Sequence, residues 1–341
     1  MKSNLTSKPS YSLMTKTLEE MNTTFKNQIT EWLMFPYQRI ICISTFFIFT
    51  SAPLVLGHLY LKELHDFYHQ SPFMAFMISN NLSAMLFVIF QGLFLVIYTL
   101  NHPFFEQYKA NEELWPWQVN PEQHKKDMKR MLIQSCFNIW ILGNVLTVML
   151  YKLLGFVQNI DFYHLPTITE FYTHWVFNYL IGELVFYWGH RLLHHPKLYQ
   201  HIHKIHHESK NSVAMAAMHV HPLEFILVDI LTIYGGSIIM GPYQHEVVRL
   251  SFIMWQIVSN MDDHCGYDFP WFFTKAVPWS ASNVFHNYHH LLNIGNYSAH
   301  TLIWDSIFGT NLEYIAHMTD QESRNSKLNY DKKSITKIKA H

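Results

Sequence analysis

Four apolar runs, at positions 40–60, 82–100, 131–154 and 171–189, set the first limit on what this chain can fold into. Each is close to the roughly 20 residues that a helix needs to cross the hydrocarbon core of a bilayer. The second run holds no charge. The first is interrupted only by Pro53, the third by Lys152 near its end, and the fourth carries Glu183. Composition agrees: 49% of the 341 residues are hydrophobic, 16% aromatic and only 14% charged, a balance more apolar than that of a typical soluble domain. The expected fold is an all-α integral membrane protein with about four transmembrane helices. A further apolar stretch, 225–259, is broken at Gly235-Gly236 and Gly241-Pro242. It reads as a helical hairpin that either dips into the membrane or covers a site.

Charge excludes one class of function and suggests an orientation. A net charge of −1 offers no basic surface for nucleic acid. Lysine and arginine gather before the first run (Lys2, Lys8, Lys16, Lys26, Arg39) and after the second (Lys109, Lys125, Lys126, Lys129, Arg130), while the first and third connections are nearly bare. By the positive-inside rule both termini then face the cytosol, and the fourth run returns the chain to that side. Positions 1–31 are polar and lack the apolar segment of a cleaved leader, so the first run is expected to act as an uncleaved anchor. Cys42, Cys136 and Cys265 form no CxxC pair and no disulfide framework; small buried hydrophobes are the expected role. Lys337 and Lys339 have the placement of a dilysine-type retrieval signal for the endoplasmic reticulum, within a tail that is lysine-rich in any case.

Directly after the fourth run the chain becomes rich in histidine. HRLLHH holds His190 and His194, HKIHH holds His203, His206 and His207, and HNYHH holds His286, His289 and His290; His221 and His264 lie between. Residues three and four apart share a helix face, so each stretch is expected to turn its imidazoles to a common point. Imidazole is a ligand for zinc, copper, iron and nickel. Ten ligands exceed the capacity of one ion, so two metal ions are the simplest reading. His58, His65, His164 and His317 lack this spacing and read as incidental, His195 and His201 as structural neighbours, and His219 and His300 as weaker candidates. No stretch has the HExxH pattern of zinc proteases, the Glu-plus-ExxH pattern of bundle-type di-iron proteins is missing too, and no GxGxxG follows a strand. Ligand type alone leaves redox chemistry, hydrolysis, and a metal transporter or histidine-rich metal-binding protein all open. A transporter would hold its ligands inside the spans, along a path.

The motifs between 186 and 310 resemble the fatty acid hydroxylase superfamily of membrane oxygenases, and within it the C-4 methylsterol monooxygenases. They are FYWGHRLLHH, LYQHIHKIHHE, HPLE at 221–224, DHCGYDFPW at 263–271, HNYHH, IGNY and WDSIFGT; YKANEELWPW at 108–117 resembles the family's connection after the second span. The resemblance implies a non-haem di-iron centre that activates O2 at a C–H bond of a membrane lipid, with electrons from NAD(P)H through cytochrome b5 and its reductase. It implies His190, His194, His203, His206, His207, His221, His264, His286, His289 and His290 as ligands, a sterol as substrate, oxidation of its C-4 methyl group, and an endoplasmic-reticulum membrane with the site on the cytosolic side. Other specificities within the superfamily stay open: sterol side-chain hydroxylation or C-24 dealkylation, desaturation, and fatty-acyl or alkylglycerol hydroxylation.

Five residues are candidates to orient ligand imidazoles: Glu183, Asp262, Asp263, Asn287 and Asp305. Asn287 departs from the family's usual HHDxHH box, where an aspartate stands; an amide can accept the same hydrogen bond without the charge. The expected organisation is a polar cytosolic tail over 1–39, membrane helices over 40–189, a histidine-box catalytic domain over 190–315 containing the 225–259 hairpin, and a polar tail over 316–341.

Overall fold

The computed structural model describes residues 32–34, 36–111, 113–153 and 158–320. Lys2, Lys8, Lys16, Lys26 and the pair Lys337 and Lys339 lie outside them. The regular elements among the described residues are all helical, with isolated bridges at Lys109–Tyr267, Asn159–His245 and Ser280–Thr301 in place of any strand. The all-α expectation holds.

The long helices are α1 (Pro36–Leu59), α2 (Leu61–Gln70), α3 (Pro72–Leu100) and α4 (Pro121–Cys136, running on through a π-helical Phe137–Leu142 and a helical Gly143–Leu153). They continue with α5 (Ile168–Leu193), α6 (Pro222–Glu224, a π-helical Phe225–Ile230, then Leu231–Met240), α7 (Glu246–His264), α8 (Asn283–Leu292) and α9 (Ile303–Phe308). Local chemistry sets the boundaries. Pro72 and Pro121 occupy first-turn positions, where a missing N–H costs nothing. Asn120 Oδ1 accepts from the Gln123 amide at 3.0 Å. Thr167 and Glu170 form a reciprocal capping box that opens α5.

Six of these helices run between two ends of one bundle. At one end, Cys42 of α1 donates through Sγ to the Pro270 carbonyl (3.1 Å), Tyr98 of α3 donates to the Cys265 carbonyl (2.7 Å), and Arg130 of α4 pairs with Glu208 (2.7 Å). At the other, Glu246 of α7 accepts from Tyr68 (3.1 Å) and Ser79 (3.3 Å), and the Asn159 amide donates to the Gln244 carbonyl (2.9 Å). Thus α1, α4 and α6 leave the first end while α3, α5 and α7 return to it. The expected hairpin is real: α6 and α7 are its arms, with the Gly241–Tyr243 turn at the far end. α7 is buried along almost its whole length, and its Arg249 pairs with Glu246 inside the bundle (Nε to Oε2, 2.7 Å).

Four helical segments are long and apolar enough to cross a membrane: Pro36–Leu59, Pro72–Leu100, Pro121–Lys152 and Pro222–Tyr243. The last of these was expected as an arm of the 225–259 hairpin, while the expected span at 171–189 lies within α5. α5 runs alongside the others, but it turns polar Asn178 and Glu183 inward with Trp175 and Gly182, so its apolar character is diluted, whereas α6 carries Ile, Leu, Val and Phe over most of its length. Large side chains such as Ile48, Leu82, Ile89, Val96, Ile133 and Ile141 stand exposed along α1, α3 and α4. Apolar surface of that extent on several helices calls for lipid rather than water. The architecture is that of a membrane protein.

Candidate metal centre

Nine of the ten expected ligands meet at the first end of the bundle, in two groups. His190, His194, His203, His207 and His289 offer one nitrogen each, as do His206, His264, His286 and His290, and within each group these atoms lie within 4.8 Å of one another. Their elements explain the sorting. His190 closes the last turn of α5 and His194 caps it. His203, His206 and His207 lie on a 3-10 helix, His203–Glu208. His264 ends α7, and His286, His289 and His290 lie on α8. The i, i+4 pairs 190/194, 203/207 and 286/290 each stay in one group, while His206 and His289 cross to the other. The second and third stretches therefore serve both groups, contrary to the expectation of one common point per stretch.

The nitrogen geometry tests whether a cation fits. Nε2 of His203 lies 3.0 Å from Nε2 of both His190 and His207, and Nε2 of His289 lies 3.1 Å and 3.2 Å from those of His194 and His207. In the second group His264 Nε2 is 3.1 Å from His206 Nε2 and 2.9 Å from His286 Nε2, and His290 Nε2 is 3.0 Å from His286 Nε2. The opposite nitrogens decide what these contacts are. Nδ1 of His190 donates to the Tyr297 carbonyl (2.8 Å), that of His203 to Glu224 Oε1 (2.7 Å), that of His264 to the Asn260 carbonyl (2.7 Å) and that of His289 to the Gly295 carbonyl (2.6 Å). With the proton held on Nδ1, a neutral imidazole presents a bare lone pair at Nε2. His190 and His203 therefore point lone pairs at each other and cannot be hydrogen-bonded. A cation between them removes the repulsion, and N···N separations near 3 Å suit ligands at right angles on an ion with metal–nitrogen bonds of about 2.1 Å.

Electrostatics keeps the rings neutral and ready to ligate. Burial drives the His194 imidazole down to about 2 and that of His207 to about 3, with neighbouring imidazoles adding to the effect. His203, His206, His286, His289 and His290 are lowered by the same burial and the same neighbours.

His221 is not drawn into either group. It is half-buried at the start of α6, where its Nδ1 accepts from the Leu223 amide at 3.1 Å. The expected orienting residues are also reassigned. Glu183 accepts from the backbone amides of His300 (3.1 Å) and Thr301 (3.2 Å). Asp262 accepts from Thr274 (2.5 Å), Asp263 pairs with His300 Nδ1 (2.8 Å), and Asn287 Oδ1 accepts from Asn111 (3.1 Å). None of these four bonds a ligand ring. Asp305 acts one step further out: it accepts from the amides of Tyr297 (2.8 Å) and Ser298 (2.7 Å), fixing the loop whose carbonyl holds His190. Burial alone would lower His300, but the Asp263 carboxylate, with Glu183 and Asp262 behind it, raises it.

Two orienting groups escaped the sequence reading. Glu224, the last residue of HPLE, holds His203. Gly295 of IGNY sits at φ +61°, where a Cβ would meet the Thr310 carbonyl oxygen at 2.2 Å, so only glycine can turn its own carbonyl toward His289. Their sequence signals are the acidic end of HPLE and the glycine of IGNY.

The four-imidazole group also faces a cavity. His264 and His286 line a recess of about 30 Å3 with Gln256, Asn260 and His300. Met218 and Ile233 are shared with an adjoining apolar cavity of about 70 Å3 between α3, α4, α6 and α7.

Residues 175–310 match the fatty acid hydroxylase family model. The chain is similar to methylsterol monooxygenase 2-1 of Arabidopsis thaliana, with 31% identity over 209 residues, covering 57% of this chain and 74% of that protein. This chain belongs to the fatty acid hydroxylase family. Methylsterol monooxygenase 2-2 of the same plant shares 34% identity over 166 residues, 48% of this chain and 61% of its own. A very-long-chain aldehyde decarbonylase of Oryza sativa subsp. indica shares 29% over 195 residues, 56% and 70% respectively. The match spans about half the length of two relatives from Dictyostelium discoideum, 53% and 54%. No solved structure matches. The matched segment of the family contains all nine clustered histidines together with Glu224, Gly295 and Tyr297.

Proposed function

We propose that this protein is an O2-dependent non-haem di-iron monooxygenase that oxidises a sterol, at its C-4 methyl group, in the endoplasmic-reticulum membrane. The observation that carries the reading is the convergence of nine neutral imidazoles, all buried but the half-buried His194, into groups of five and four, with the recess beside the latter adjoining an apolar cavity of the bundle. His190, His194, His203, His207 and His289 would hold one iron, and His206, His264, His286 and His290 the other. Iron so held supplies the oxidising power that activates O2 toward an unactivated C–H bond. The protein's part is to keep ligand lone pairs aimed, by fixing the Nδ1 protons of His190, His264 and His289 on backbone carbonyls and that of His203 on Glu224, and to keep bulk water out by burial. The apolar walls receive a lipid directly from the bilayer, so the substrate never crosses water. Similarity to methylsterol monooxygenases favours a sterol.

The family resemblance supports NAD(P)H, through cytochrome b5 and its reductase, as the source of electrons. That donor is cytosolic, and the basic connections that bracket the bundle's metal end suit a cytosolic site. A metal transporter would need ligands strung along the spans, whereas these groups gather at one end. The test is to incubate membranes containing the protein with NADH, O2 and a panel of 4-methylsterols, other sterols and a very-long-chain aldehyde, and to measure bound metal. An oxidised C-4 methyl product and about two irons per chain are expected; product from the aldehyde alone would move the substrate out of the sterols.

A further inference from the structure

The recess beside the four-imidazole group contains polar atoms that nothing in the bundle uses. Asp229 and Thr232, on successive turns of α6, line it together with His264 and His286. Asp229 is only 9% exposed and Thr232 only 5%, yet Asp229 Oδ2 and Thr232 Oγ1 have no hydrogen-bond partner among the described residues. An unpaired buried polar group costs about 1–3 kcal/mol, and Asp229 lies within a segment apolar enough to span a membrane, where an ionisable residue normally serves a function. Asp229 also stands in the π-helical Phe225–Ile230. An inserted residue of this kind turns side chains away from their regular direction and recurs at functional sites.

We propose that Asp229 and Thr232 are the specificity-determining pair that binds a hydroxyl group of the substrate and so places the neighbouring carbon at the His206, His264, His286, His290 group; this rests on the sterol reading above. Size and chemistry choose the ligand. At about 30 Å3 the recess exceeds the ~10–15 Å3 that one water requires, and it is too small for a phosphate or carboxylate headgroup with its counter-charge. The Asp229 carboxyl group offers an acceptor oxygen and the threonine hydroxyl is both donor and acceptor, which together satisfy one alcohol. The substrate's apolar body extends past Met218 and Ile233 into the adjoining cavity, walled by Ala84, Phe87, Ile139 and Ile253. That cavity, about 70 Å3 as it stands, is below the roughly 300–1,000 Å3 of ligand pockets, so a ring system enters by parting α3 and α4 from α6 and α7. Because the recess touches both the hydroxyl pair and His264 and His286, the oxidised carbon must lie close to the carbon bearing the hydroxyl. In a sterol the C-4 methyl meets that condition, since C-4 adjoins the carbon carrying the hydroxyl, and a side-chain carbon does not.

The test compares a radiolabelled 4-methylsterol having a free 3-hydroxyl with its 3-methyl ether, bound to the full-length protein in detergent. Wild type is expected to hold the alcohol about 5- to 150-fold more tightly, the range that one unmet buried hydrogen bond spans. In Asp229→Leu/Thr232→Val the preference should fall to near unity while affinity for the ether and metal content stay within about twofold. Asp229→Asn, which keeps an acceptor oxygen, should retain most of the preference. Equal binding of alcohol and ether by a wild type that oxidises sterols overturns the assignment and leaves the sterol reading intact. A preference that survives in the double variant overturns it as well, and a wild type that neither binds nor oxidises any sterol removes both. Should the double variant not fold, the wild-type ratio and Asp229→Asn still decide.

Discussion

Glu224→Ala should loosen one metal and not the other. Glu224 Oε1 accepts from His203 Nδ1 at 2.7 Å, with both side chains almost fully buried. His203 is the hub of the five-imidazole group, its Nε2 lying 3.0 Å from those of both His190 and His207. Without the carboxylate, the imidazole proton is free to move to Nε2, where a lone pair is needed, or Nδ1–H is left unpaired at a cost of about 1–3 kcal/mol. Loss of such an orienting partner typically weakens metal binding about 10- to 100-fold, which is roughly 1.4–2.7 kcal/mol. Among the described residues no hydrogen bond joins Glu224 to the second group, so that group's affinity should not move. The assay is metal content by mass spectrometry across a graded chelator series. Wild type should release metal in two steps, and in Glu224→Ala one step should move 10- to 100-fold to lower chelator while the other stays in place. Glu224→Gln, which keeps an acceptor oxygen, should fall between. Unmoved steps would refute the orienting role, and an equal shift of both, with an earlier thermal transition, would reassign Glu224 to general stability.

Three further outcomes follow from the same geometry. Gly295→Ala forces a Cβ into the Thr310 carbonyl at a left-handed backbone position, so it should displace the acceptor of His289 Nδ1 and deplete the five-imidazole metal first, read by the same chelator series. His221→Ala should leave metal content unchanged and cost only about 1 kcal/mol of stability through its lost helix cap, measured by thermal denaturation in detergent; a missing metal would return His221 to the ligand set. Lowering pH should destabilise the metal-stripped protein: its ligand histidines are depressed by burial, to about 2 for His194 and about 3 for His207, against about 6.5 unfolded. Below 6.5 the unfolded chain binds more protons, so stability present above that pH falls as pH drops toward the folded values, by up to about 1.4 kcal/mol per pH unit for each such histidine. His300, whose value is raised, opposes this with a single group. A flat denaturation midpoint between pH 7 and 5 would contradict the buried, neutral state of the rings.

The sequence alone carried the helical class, the hairpin and the nine histidines that gather in the candidate metal centre. Those properties follow from local period and composition: an apolar run of bilayer length must close its own backbone hydrogen bonds as a helix, and residues four apart share a face whatever surrounds them. The i, i+4 pairs 190/194, 203/207 and 286/290 accordingly stayed together. Tertiary structure decided the rest. Which group received His206 or His289 depends on where a 3-10 helix and α8 dock against α5 and α7, which no local pattern records. His221 had a ligand's chemistry but serves as a helix cap and joins neither group. That α6 is also apolar and long enough to cross a membrane, while α5 turns Asn178 and Glu183 inward, became visible only in the folded bundle. Nearness in sequence does not make a hydrogen bond, which needs proximity in space: Asp262, Asp263, Glu183 and Asn287 found other partners. The groups that do hold the imidazoles, Glu224 and three backbone carbonyls at Asn260, Gly295 and Tyr297, are mainly main-chain atoms. Main-chain atoms are the same in every residue, so their role becomes visible only once the chain has folded around the site.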